Sequence, residues 1–177
     1  VDSFSRIIRL GEGISATGSI SEAAIERAIA ALSICSDKIR YRKAGRLRLI
    51  ATEACRAAAN ADSFRARVAA ETGIRLEVID RETEATLAVI GCSPLLDTRG
   101  RGAILFDIGG GSTELVRIER DPAEQNASPR IKAWMSIPLG VVTLAEHFGG
   151  RDVTAESYAH MVREVAQSLA HEWHSHR

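Results

Sequence analysis

Apolar residues recur along this chain with two periods, one of three to four residues and one of two, and the changes between them mark out the elements. Residues 1–10 set Phe4, Ile8 and Leu10 around Arg6 in an alternation that is only weakly strand-like. From Ser21 the helical period takes over. Ile25, Ile29, Leu32, Cys35 and Ile39 follow at that spacing as far as Gly45, with Ser21 as N-cap and Ile20 and Ile25 at the staple positions. Residues 46–51 alternate Leu47 and Leu49 with arginines and predict a short strand. Asn60 or Asp62 then opens a helix through Phe64 and Val68 that Gly73 stops, and residues 74–79 predict the next strand. Residues 81–90 return to the helical period, and 91–101, rich in Gly, Ser, Pro and Asp, form a linker, which puts a domain boundary near residue 100.

Beyond the linker, residues 103–108 are apolar apart from Asp107 and suit a buried strand of an α/β sheet. Gly109-Gly110-Gly111 interrupts them, and 112–118 resume an alternation of two, so a second strand is expected, not a helix. A polar loop over 121–129, a strand over 131–137, a short helix over 142–148 ended by Gly149-Gly150, and a last helix capped by Thr154 complete the pattern.

Composition narrows the class. With 177 residues, 45% hydrophobic and 26% charged, the chain is neither disordered nor fibrous and can bury a full core. Lys+Arg and Asp+Glu both number 23, so no overall field draws it to nucleic acid or to an anionic membrane, and any anion site has to be built locally. No apolar stretch approaches the roughly 20 residues of a membrane span, and no secretory signal is read at the start, which makes the cytoplasm the expected location. Cys35, Cys55 and Cys92 are odd in number and lack CxxC spacing, so buried free thiols are expected.

The chemistry concentrates in Asp107-Ile108-Gly109-Gly110-Gly111-Ser112-Thr113-Glu114. Successive backbone N–H groups of so glycine-rich a turn can converge on an oxyanion, Ser112 and Thr113 add hydroxyls, and Asp107 and Glu114 can both face a magnesium ion. The plainer reading is a tight hairpin with solvated carboxylates. A dinucleotide fingerprint would need another glycine where Glu114 stands, and a P-loop would need Gly-Lys-Ser/Thr, so both fail. Glu84, opening the helix before the linker, is a candidate general base pointing across an interdomain cleft, or an acidic residue favoured there by the helix dipole. Arg56, after a strand, could reach a ligand in the same cleft or belong to a solvated face. His171 and His174 share a helical face, His176 falls off it, and the trio reads as a solvated helix end.

Taken in order, Arg9-Leu10-Gly11-Glu12-Gly13, Ala51-Thr52-Glu53-Ala54-Cys55-Arg56 with Asn60, Glu82-Thr83-Glu84-Ala85-Thr86-Leu87, Asp107 to Leu115, and Ile137-Pro138-Leu139-Gly140 resemble successive motifs of the exopolyphosphatase and guanosine pentaphosphate phosphohydrolase family. The resemblance implies an α/β, actin-like (ribonuclease H-like) two-domain fold, incomplete here at both ends: residues 1–100 as the first domain without its N-terminal phosphate hairpin, 101–177 as the start of the second. It implies Glu84 as the residue activating water, Asp107 and Glu114 as magnesium ligands, and Arg56, Gly109, Gly110, Gly111, Ser112 and Thr113 as phosphate contacts. The implied substrates are inorganic polyphosphate or guanosine pentaphosphate, and the full-length protein is expected to be a homodimer. Arg81 stands where a small residue is common, Glu82-Thr83-Glu84 replaces consecutive glutamates, and Thr143 stands where arginine is frequent, so altered phosphate-chain binding is expected there. Two other readings stand beside hydrolysis: a module that senses guanosine tetra- or pentaphosphate without turnover, and an actin-like kinase, for which no adenosine-binding segment is visible.

Overall fold

A computed structural model describes residues 2–97, 100–119, 130–150 and 152–175. The polar loop expected over 121–129, and Thr98 and Arg99 of the linker, lie outside the described residues. The chain divides into two compact units, Val1–Ile79 and Asp80–Arg177.

The first unit is built on α2, Glu22–Arg42, whose cap is the expected one: Ser21 Oγ accepts from the Ala24 N–H at 3.3 Å. Ile20 and Ile25, the staple pair, are both buried. The short α1, Ile14–Thr17, precedes it, and α3, Glu53–Ala57, and α4, Ala61–Thr72, follow. Ala24, Ile25, Ala28 and Ile29 of α2 meet Phe64 and Val68 of α4 and Cys55 of α3 in one core. Gly73 ends α4 in the left-handed conformation at φ 73°, as a C-terminal glycine does. Asn60 precedes α4 but does not cap it. Its side chain accepts from the Ile20 N–H at 2.8 Å and donates to the Ile20 carbonyl at 2.9 Å, tying the entry of α2 to the entry of α4.

Both strands expected in this unit are shorter than the alternation suggests. Only β1, Ile50–Ala51, and β2, Glu77–Val78, pair, in parallel. A strand exists only where a partner meets its backbone groups, and each finds the other over two residues, however far the side-chain alternation runs. Residues 2–9 form neither strand nor helix. Side chains of α2 hold them instead: Lys38 and Arg42 pair with Asp2, and Arg27 donates to the Ile8 carbonyl. Cys55 is buried, whereas Cys35 and Cys92 are half-buried; all three thiols are free.

The second unit opens with α5, Arg81–Cys92, capped by Asp80, whose carboxylate accepts from the Thr83 N–H at 2.7 Å. The helix runs into a single 3-10 turn, Ser93–Leu95. An antiparallel meander follows: β3, Gly102–Ile108; β4, Thr113–Glu119; and β5, Arg130–Ile137. Strand, glycine turn and strand are as the sequence predicts. Ala85 and Val89 of α5 pack on Val116 and Ile118 of β4, with Leu105, Ile131 and Trp134 around them. This apolar contact is what places α5 in the second unit, so the division falls well before the linker at which the sequence suggests a boundary. The other face of β3 carries Ile104, Phe106 and Ile108, each 62% exposed, so Leu105 and Asp107, which alternate with them, belong to the face that α5 covers.

Two helices close the unit. The first, α6, Val141–His147, is followed by Gly149 and Gly150 with φ of 80° and 71°. The second, α7, Ala155–Ser175, packs along β5. Thr154 caps it as expected, its Oγ1 accepting from the Ser157 N–H at 3.1 Å. His171 of α7 is exposed, while the side chain of His174 and all of His176 lie outside the described residues. Among the described residues no helix is long and apolar enough to cross a membrane.

Candidate active site

The covered face of the meander changes from apolar to polar as it approaches the glycine turn. On β4 the inward residues run Ile118, Val116, Glu114; on β3, Leu105 gives way to Asp107; on β5, Trp134 gives way to Ser136. Asp107 stands directly opposite Glu114 in the register, and Glu114 directly opposite Ser136. Facing carboxylates across an antiparallel pair repel and lower sheet stability.

Glu114 is only 1% exposed, and Ser112 beside it 3%. The Ser136 hydroxyl donates to Glu114 Oε1 at 2.8 Å. Burial pushes the Glu114 carboxyl above its ordinary range; hydrogen bonds from Ser136 and Ser112 pull it back down, and the charges of Glu84 and Asp107 push it up again. The two carboxylates of the hairpin and Glu84 thus share one electrostatic neighbourhood within the second unit. The solvated hairpin that the sequence allows is not what is found: the hairpin is tight, but Glu114 is buried and Asp107 half-buried.

A pH dependence follows. A carboxyl raised in the folded state binds its proton more tightly there than in the unfolded chain, whose value lies near about 4.3. Its contribution to stability is full below that value and is lost as pH rises through the folded one. Glu114→Gln removes the dependence, so in metal-free buffer its unfolding midpoint should fall less than that of the wild type between about pH 4 and pH 7. Denaturant titrations across that range check this, and parallel curves for the two proteins would contradict it.

The turn itself is held from behind. The Gly109 N–H donates to the Ser112 carbonyl at 2.9 Å, closing the hairpin and leaving Gly110 and Gly111 at its tip. The Gly109 carbonyl accepts from the Val141 N–H at 3.0 Å, and the Gly110 carbonyl accepts from Val142 and Thr143 at 2.8 and 3.2 Å. In a trans peptide the C=O and the following N–H point in opposite directions, and among the described residues there is no cis bond. With both carbonyls aimed at the start of α6, the Gly110 and Gly111 N–H groups are aimed away from it, side by side. Consecutive amides directed outward are the geometry that receives an oxyanion. Gly110, at the tip, is exposed.

Neither Gly109 nor Gly110 adopts a left-handed φ, so conformational freedom does not explain them. Space is tight at Gly109, where a Cβ would lie 3.2 Å from the Ser112 carbonyl oxygen, and tightest at Gly140. A Cβ there would lie 2.4 Å from the Gly110 carbonyl carbon and 2.5 Å from the carbonyl oxygens of Gly109 and Gly110. The Thr113 hydroxyl, expected on the phosphate, donates to the Leu139 carbonyl at 2.7 Å and joins the same packing. Ser136 and Asp80 are residues to which the sequence motifs assign no part. A serine at the inward position of an apolar strand was a readable signal for the first; Asp three residues before Thr83 was one for the second. Gly140 is visible in the sequence as the end of the Ile137-Pro138-Leu139-Gly140 motif, but its packing role is not, because its neighbour is thirty positions away in the chain.

Arg56 lies in the first unit. Its guanidinium donates to Glu53 Oε2 at 2.8 and 3.1 Å and to the Ile79 carbonyl at 2.8 Å, with both side chains of the ion pair less than one-fifth exposed, at 15% and 17%. It joins α3 to the end of β2.

Asp107 and Glu114 offer hard carboxylate oxygens, the donor type magnesium prefers. Among the described residues no three His, Cys, Asp or Glu side chains form a metal cage. Two carboxylates are enough protein ligands for an ion that keeps part of its water and takes further ligands from phosphate, as magnesium does.

The chain as a whole is similar to known proteins. The chain is 36% identical over 146 residues to exopolyphosphatase 2 of Mycobacterium tuberculosis, covering 80% of this chain and 43% of the relative. It is 32% identical over 154 residues to a guanosine-5'-triphosphate,3'-diphosphate pyrophosphatase of Photobacterium profundum, covering 86% of this chain and 29% of that one. The crystal structure of an exopolyphosphatase-like protein superposes with a TM-score of 0.80 at 29% identity, over 94% of this chain and 51% of that protein. The chain thus spans about half, or less, of the length of each, and its mixed α/β architecture is shared with the solved exopolyphosphatase-like protein. The model of the Ppx/GppA phosphatase family matches residues 1–175, and the chain belongs to that family.

Proposed function

We propose that this chain carries the catalytic groups of a phosphohydrolase that releases terminal phosphate from inorganic polyphosphate or from guanosine pentaphosphate. The observation that supports it most is the pairing of outward Gly110 and Gly111 amides with a carboxylate patch, Glu84, Asp107 and Glu114, inside one compact unit. Its two named relatives carry these two activities in their names.

In this reading the two amides hold oxygens of the terminal phosphate and remain directed at them as charge develops during transfer. Glu84 takes a proton from water as its oxygen forms a bond to the terminal phosphorus, and the phosphoanhydride bond breaks on the opposite side. The electron pair leaves with the bridging oxygen on the shortened chain, and the products are orthophosphate and a substrate one phosphate shorter. Asp107 and Glu114 would hold magnesium, which when bound neutralises charge on the phosphate oxygens. The Ser136 and Ser112 hydroxyls keep Glu114 in place for that task.

The test is magnesium-dependent phosphate release from long-chain polyphosphate and from guanosine pentaphosphate, measured in parallel on the full-length protein. Release from one of them assigns the substrate. Binding of guanosine pentaphosphate without release would replace hydrolysis by sensing.

A further inference from the structure

The start of α6 is engaged in an unusual way for so short a helix. The first amides of any helix have no partner within it. Here the N–H groups of Val141, Val142 and Thr143 all end on carbonyls of the glycine turn, and the first bond inside the helix is Leu144 N–H to the Gly140 carbonyl at 2.9 Å. These amides are thus taken up by the turn. One donor at the entry is left, the N–H of Gly140, and it donates to Thr143 Oγ1 at 2.9 Å. The same hydroxyl lies 3.2 Å from the Gly140 carbonyl, which it can reach as a donor. Thr143 is half-buried, and it fastens both polar groups of the residue whose missing side chain lets α6 touch the turn.

We propose that Thr143 is a positioning residue for the glycine turn. Its hydroxyl fixes the Gly140 peptides, which keeps the Val141, Val142 and Thr143 amides on the Gly109 and Gly110 carbonyls. Because those carbonyls face α6, the Gly110 and Gly111 amides face the other way. Thr143 therefore sets the direction of the phosphate donors from behind, without touching phosphate. The threonine at this position is then not a weakened phosphate contact but a part of the support. The last link, from donors to phosphate, rests on the phosphohydrolase reading; the clamp on the turn does not.

Thr143→Val keeps the shape and removes the hydroxyl, and Thr143→Ser keeps the hydroxyl. Two readouts on the full-length protein separate the links. In hydrogen exchange, Thr143→Val should raise the exchange of amides over 109–113 about tenfold, the loss expected for one buried hydrogen bond, while α5 keeps its protection. In steady-state phosphate release, Thr143→Val should lower kcat by about tenfold with KM little changed, because the donors act mainly on charge that develops during transfer. Thr143→Ser should stay within about twofold of wild type in both. Unchanged exchange over the turn would overturn the clamp. Raised exchange with unchanged kcat would overturn the positioning role, leaving an ordinary cap, and equal losses in the valine and serine variants would exclude the hydroxyl as the agent. If the wild type releases phosphate from neither substrate, it is the phosphohydrolase reading that fails, and the exchange result alone decides the clamp.

Discussion

Replacing Glu84 by glutamine is expected to lower kcat for phosphate release by about 10²–10⁴-fold, the range attributed to a positioned general base, with KM close to that of the wild type. The fold should be indifferent to the change. Asp80, not Glu84, caps α5, and the helix is fixed by Ala85 and Val89 against β4. Glutamine keeps the size of the side chain and removes one of the charges that press on Glu114. Thermal unfolding at or slightly above the wild-type temperature, together with lost release, is therefore the expected pair of results. Intact release in the variant would mean that another group accepts the proton of water. Lost release with a large drop in unfolding temperature would mean that Glu84 supports the second unit and is not its base.

Gly140→Ala should be the most damaging single methyl in the second unit. Its backbone, at φ −134° and ψ −179°, is one any residue adopts, so the cost is not conformational. The added carbon would sit 2.4–2.5 Å from main-chain atoms of Gly109 and Gly110, and no flexible side-chain end is there to yield. Relief requires the turn and α6 to part, which breaks the hydrogen bonds from Val141, Val142 and Thr143. A destabilisation of about 3 kcal/mol or more follows from overpacking together with those lost bonds, and phosphate release should fall with it. Gly110→Ala is the matched control: its new carbon meets only the Val142 side chain, with the Cγ2 methyl nearest at 3.4 Å. Urea unfolding of the two variants makes the comparison, and equal midpoints would show that the close approach at Gly140 is dispensable.

How much of this could be read from sequence differs between the two units, for a physical reason. The meander was legible because an apolar run before the glycines and an alternation of two after them mark the first two strands, and a polar loop sets off the third. The same alternation over 46–51 produced only two paired residues, because pairing depends on a partner that the side chains do not encode. Helix ends were legible where the cap is local, as at Ser21, Gly73 and Thr154. Asn60 stood in a cap position and did something else, since its amide found Ile20 forty residues away. At the site, Asp107, Glu114 and the turn were visible as types of residue. That Glu114 is buried was not, because a glutamate in an alternating strand reads as facing water until the covering helix is known.

The turn also bears on what a sequence can record. In the proposed function its outward chemistry is carried by peptide N–H groups, atoms that nearly every amino acid possesses, so no letter in the alphabet spells the donors themselves. What the glycine at 140 spells is an omission, the missing carbon that lets one stretch of main chain lie against another. A search for reactive side chains passes over such a position. In this protein the place where a side chain is least tolerated bears on the proposed chemistry as much as the carboxylates do.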